Sequence, residues 1–174
     1  MKLPTRPLVS AALLLALTAC GGGLSVSIGD DDDAFAEPRS SGRPASVQVT
    51  AASDARLEGT YASGDLRVGS VLRFSGTGPD FCEFRFDGLQ GQPPASALVM
   101  RGNVRYQVDT GEVLGTVIFV GEVRYRAEGG AVLDRGENAI DYTGATFRTG
   151  GSAGAELTLS GTIPMRNEGK PHGC

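Results

Sequence analysis

Few residues in this chain could carry nucleophilic, metal or acid–base chemistry. There is one histidine, His172, beside Pro171 and Gly173. A Ser–His or Cys–His dyad would have to use it from the end of a tail, where geometry is hard to hold. Zinc needs three or four good ligands, and His172 with Cys174 supplies two. Carboxylates for glycoside cleavage would be drawn from Glu83, Asp87, Glu112, Asp134, Glu137 or Asp141. All six fall at polar-face or turn positions, where a solvated acid is the ordinary expectation. Arg101, Arg105, Arg124 and Arg126 are candidates for an anion patch on adjacent strands. Asp109, Glu112 and Glu122 interspersed among them read instead as a mixed charged surface. No glycine-rich segment joins a strand to a helix, so nothing reads as a phosphate cradle. No catalytic residue, metal site or cofactor is assigned.

The cysteines are more informative. Lys2 and Arg6 precede an uncharged run over 8–17, which ends in Leu17-Thr18-Ala19-Cys20-Gly21. A basic start and a short apolar run make a secretory signal. The run is too short to cross ~30 Å of hydrocarbon as a helix. With Leu17 at −3, small residues at −2 and −1 and Cys20 at +1, the stretch resembles the lipobox of bacterial lipoproteins. That resemblance implies cleavage before Cys20, a diacylglycerol on its thiol and an acyl group on its amine. Several acyl chains anchor stably where one would not. Gly21 at +2, where aspartate would signal retention at the inner membrane, implies the outer membrane, with the periplasmic or external face left open. Cys82 and Cys174 remain, an even number in an oxidising compartment. A disulfide between them is expected, closing a loop of about 90 residues worth ~4 kcal/mol. The alternative is a buried thiol and a loose end.

Net charge is −4, and losing Lys2 and Arg6 with the signal makes it −6. An acidic body argues against nucleic acid and against electrostatic docking to anionic lipid. Three segments are expected: signal peptide 1–19, a lipidated flexible linker 20–53 and a β-domain 54–174. The linker holds Gly21-Gly22-Gly23, the run Asp30-Asp31-Asp32-Asp33, Pro38 and Pro44, with little to bury. Roughly 30 such residues span ~30 Å. The aspartates lack the spacing, glycine turn and distal acid of a calcium loop and read as a solvated spacer.

Beyond Ala55 the apolar pattern has period two. Leu66, Val68, Leu72 and Phe74 share a face; Cys82, Phe84 and Phe86 alternate with Glu83, Arg85 and Asp87. Met100, Val104 and Tyr106 continue it, then Val117, Phe119, Val123 and Tyr125, then Leu157 and Leu159. These are expected to form one inward cluster, with Phe84, Phe86 and Phe119 its largest members. Placing a tip at Thr110-Gly111 sets Tyr106 against Gly115 and Gly102 against Phe119, aromatics covering glycines. Glycines within strands let them coil sharply. The expected fold is all-β, a single antiparallel barrel of seven to eight strands, with a β-sandwich as the alternative. The lipobox, glycine-rich linker and glycine-punctuated barrel together resemble surface lipoproteins whose C-terminal eight-stranded barrels bind host proteins. The function expected is a non-enzymatic binding or structural module at the outer membrane, open to a small apolar ligand or a protein partner. An envelope hydrolase with unplaced acidic residues is the alternative.

Overall fold

A computed structural model describes residues 38–75, 77–95, 97–151 and 154–165. Eleven strands form one antiparallel sheet: β1 (Arg39–Ser40), β2 (Ala45–Ala52), β3 (Gly59–Ser63), β4 (Arg67–Arg73), β5 (Phe81–Gly91), β6 (Val99–Gln107), β7 (Val113–Val120), β8 (Val123–Ala127), β9 (Ala131–Asp134), β10 (Ala139–Arg148) and β11 (Glu156–Pro164). Three pairs of short strands are halves of kinked staves. β3 and β4 run the same way along β5, β1 and β2 the same way along β4 and β3, and β8 and β9 the same way along β10. At the last kink, Gly130 has φ 78° and its Cα lies where a side chain would strike Ala145. Counted as staves, the chain is an eight-membered up-and-down meander. β11 pairs back onto β2 and closes it into a barrel.

The linker expectation is corrected here. β1 and β2 lie within 20–53 and together form the first stave, in which Val47 and Val49 are buried. Ser46-Val47-Gln48-Val49-Thr50 is a short alternating strand hidden among small residues after Pro44. The barrel therefore begins by Arg39. Cys20, the aspartate run, His172 and Cys174 lie outside the described residues.

Side chains from every stave meet in one core, including Val47, Tyr61, Leu66, Phe84, Phe86, Met100, Ile118, Tyr142, Phe147 and Leu159. An eight-stranded barrel is just wide enough for its own side chains to fill, and this one is filled. Phe84 and Phe86 stack with centroids 6.3 Å apart. Phe86 lies directly opposite Gly102, and a Cβ there would sit 2.8 Å from its ring. Aromatic cover of a strand glycine thus occurs, with Phe86 as the cover and not Phe119.

Four of the expected inward residues do not point inward. In β7 the buried set is Thr116, Ile118 and Val120, which turns Val117 and Phe119 to the outside. A bulge between Arg105 and Tyr106 shifts the β6–β7 ladder, pairing Arg105 with Gly115 and Arg101 with Phe119. One residue of slip moves a strand's side chains to the other face. Val123 is 46% exposed at the start of β8, and Phe74 is 79% exposed just past the end of β4.

All four tyrosines are buried in the barrel. Tyr61 donates to the Leu57 carbonyl at 2.9 Å. The Tyr142 hydroxyl and the Thr116 hydroxyl have no hydrogen-bond partner among the described residues. Burial raises each phenol: Tyr61 to about 12, Tyr106 and Tyr125 above their ordinary value, and Tyr142 further still. The unfolded phenols ionise near pH 10. Above that pH the unfolded chain has released protons the folded one retains, so stability falls as pH rises. Below it the tyrosines contribute no pH dependence. An equilibrium urea titration is expected to show constant stability from pH 8 to about 9.5. Each further pH unit then removes up to ~1.4 kcal/mol per buried tyrosine. Stability unchanged at pH 11 would contradict this burial.

Candidate anion-binding wall

Glu83 is the acid whose setting departs most from a solvated one. It points outward from β5 between the inward Cys82 and Phe84, yet it is only 3% exposed. Three guanidinium groups cover it. Arg105 Nε on β6 lies 3.5 Å from its carboxylate, Arg73 Nε on β4 3.6 Å, and Arg85 Nε on its own strand 3.9 Å. Asn103 Nδ2 donates to Glu83 Oε1 at 3.1 Å. One carboxylate thus gathers three arginines and leaves a local excess of two positive charges. A buried charge needs such partners, because an uncompensated one costs several kcal/mol.

The arrangement continues along the outer surface. The ladders place Gly69, Arg85, Asn103, Val117, Arg126 and Arg148 in one register row across β4, β5, β6, β7, β8 and β10. Arg101 and Arg124 flank Phe119 in a neighbouring row, and Arg105 stands opposite Glu83. Arg101 lies over the Phe119 ring at 5.1 Å, and Arg105 over the Phe81 ring at 5.5 Å. Such cation–π contacts tether these guanidinium groups to the wall. Each stave from β4 to β10 contributes a residue because outward positions recur every second residue.

Eight arginines share this wall: Arg67, Arg73, Arg85, Arg101, Arg105, Arg124, Arg126 and Arg148. The carboxylates set among them are Glu83, Asp87 and Glu156, each in an ion pair. Eight minus three leaves an excess of five positive charges. Among the described residues there are 12 arginines and 14 acids, so the remaining surface carries four arginines and 11 acids, an excess of seven negative charges. Arginine thus outnumbers acid among the outward positions of β4 to β8 in a domain whose described residues are net acidic.

Arg101, Arg105, Arg124 and Arg126 thus share the outer surface of adjacent strands, with Glu83 set among them. Asp109 and Glu112 lie in the β6–β7 turn and Glu122 in the β7–β8 turn, at the ends of the strands that carry these arginines. The other candidate acids do local work. Asp87 pairs with Arg67 at 3.4 Å. Asp134 Oδ1 accepts from the Gly136 and Glu137 backbone amides in the β9–β10 turn. Asp141 accepts from the Thr162 hydroxyl across the β10–β11 ladder. Cys82 is fully buried in the core. A depression of about 480 Å³ beside β2 and β3 is lined by small or polar residues, including Ser46, Ser63 and Gln92. Comparison with protein families, curated proteins and solved structures finds no match.

Proposed function

We propose that this protein is a lipid-anchored, non-enzymatic binding module of the bacterial outer membrane that engages its partner through the outer wall of the barrel. The lipobox ending at Cys20 supports the anchor. The reading is carried by the arginine wall, where eight guanidinium groups share one face of an otherwise acidic domain. With the barrel interior filled by core side chains, a small apolar ligand has less claim than a partner on the surface.

Cys20→Ala is expected to leave an unprocessed precursor that no longer partitions into the detergent phase of a Triton X-114 extract. Normal cleavage and partitioning of that variant would overturn the anchor. The Cys82–Cys174 disulfide belongs to the same reading. Peptide mapping of the unreduced protein is expected to recover the two cysteines linked, with reduction costing ~4 kcal/mol of stability. Recovery of both as free thiols would exclude the bond.

A further inference from the structure

We infer that the arginine wall is a binding surface for an acidic polysaccharide, a flexible chain carrying carboxylate or sulfate groups that wraps part-way around the barrel. The inference deepens the proposed function by naming the partner's chemistry, and rests on that reading for its cellular setting.

Like charges directly opposite in a sheet are destabilising. Here Arg126 faces Arg148 across the β8–β10 ladder, and Arg85 and Arg105 crowd a single carboxylate on adjoining strands. Arg101, Arg124 and Arg126 form no ion pair among the described residues. Arg85, Arg105 and Arg148 are neutralised in part by Glu83 and Glu156, whereas arginines kept close together without an ion pair, as Arg101, Arg124 and Arg126 are, mark a site whose opposite charge arrives from outside. Guanidinium forks donate two parallel hydrogen bonds at once to carboxylate or sulfate oxygens.

Curvature selects the kind of partner. The arginines run from β4 to β10, across five of the eight strand-to-strand steps around the barrel. A flat lipid surface touches only the few staves along its line of contact, whereas a flexible polymer can follow the bend. The two rings on the wall tell against a nucleic acid. Phe81 and Phe119 are capped by Arg105 and Arg101, so neither offers the open face on which bases stack. Closure tells against an acidic peptide strand. Backbone groups of the wall are already paired in ladders and leave no edge for a further strand. What the wall offers is guanidinium groups with Val117 and the edge of Phe119 between them, a surface for charged groups and for the C–H faces of sugar rings.

The test uses the full-length lipidated protein in neutral detergent, with polygalacturonate and dextran sulfate as probes and neutral dextran as control. Both charged polymers are expected to bind, with affinity falling about tenfold or more as salt screens the contacts. Poly-glutamate and single-stranded oligothymidine of equal charge are expected to bind about tenfold more weakly. Arg101→Gln/Arg124→Gln/Arg126→Gln should lose at least tenfold, with a thermal melt confirming that it folds. The triple lysine replacement should retain binding within about threefold, and Arg39→Gln/Arg56→Gln, off the wall, should match the parent. Equal binding by the triple glutamine variant overturns the inference. So does equal or tighter binding of the peptide or oligonucleotide, or displacement of the polysaccharide by phosphatidylglycerol vesicles. Cys20→Ala separates the two proposals: normal cleavage and partitioning of that variant, with polymer binding retained, would remove the membrane reading and leave this one standing.

Discussion

Gly161→Val is expected to abolish cooperative folding. Gly161 lies in β11 opposite Val47, on the seam where the last stave meets the first. Its φ is +129°, a region closed to residues with a Cβ. Space is lacking as well as conformation: a Cβ would sit 2.7 Å from the Ser46 carbonyl oxygen and 2.8 Å from the Val47 Cα, both backbone atoms. Backbone cannot step aside as a flexible side chain can, so relief requires the β2–β11 ladder to part. Strain of a few kcal/mol together with lost seam pairing rivals the 5–15 kcal/mol of a typical domain. The expected result is loss of the sigmoidal thermal transition and rapid proteolysis. Gly150→Ala is the control, with nothing within 4 Å of its added Cβ and no positive φ, and should melt within a few degrees of the parent. A cooperative melt for Gly161→Val near the parental temperature would refute the account of the seam.

Phe86→Ala is expected to cost ~3–5 kcal/mol, the range for emptying a buried phenyl site. The ring is 1% exposed, packs against Phe84 and covers the Cα of Gly102 on the facing strand. Collapse around the void is limited, because Gly102 has no side chain to swing in and the ladder holds both backbones. Phe119→Ala is the informative partner. That ring stands outside the barrel beneath Arg101, so its loss should cost about 1 kcal/mol or less. Urea denaturation of the two variants decides the matter. Equal losses would mean that the inward and outward phases of β5 and β7 have been assigned wrongly.

The contrast between these phenylalanines also shows what the sequence makes legible. In β5, Cys82, Phe84 and Phe86 alternate with Glu83, Arg85 and Asp87, and in β6 Val104 and Tyr106 alternate with Arg105 and Gln107, so period two reveals both the strand and its buried face. In β7, Val117-Ile118-Phe119-Val120 is apolar at every position. Alternation then loses its phase, and the hairpin tip that would restore it is displaced by a bulge. β2 escaped notice for another reason: its alternation runs through serine, glutamine, threonine and valine, next to residues typical of a linker. The wall was half visible. Its arginines stand at outward positions of β5, β6 and β8, alternating with apolar residues, but their gathering depends on register between strands. Register carries no local signal, and the acids nearest in sequence turned out to lie in the turns. Glu83 looked like any surface acid, since nothing in a single strand announces three arginines converging from its neighbours.

The seam also sets a timetable. It joins Val49 to Leu159, 110 residues apart, and all the other staves lie between them. While the ribosome is still making β10, the first stave has a partner on one side only, and its open edge can pair with another chain. Closure of so long a loop is slow compared with local hairpin formation. An incomplete chain therefore remains a curled, adhesive sheet, and molecules truncated before β11 should aggregate instead of folding to a smaller barrel.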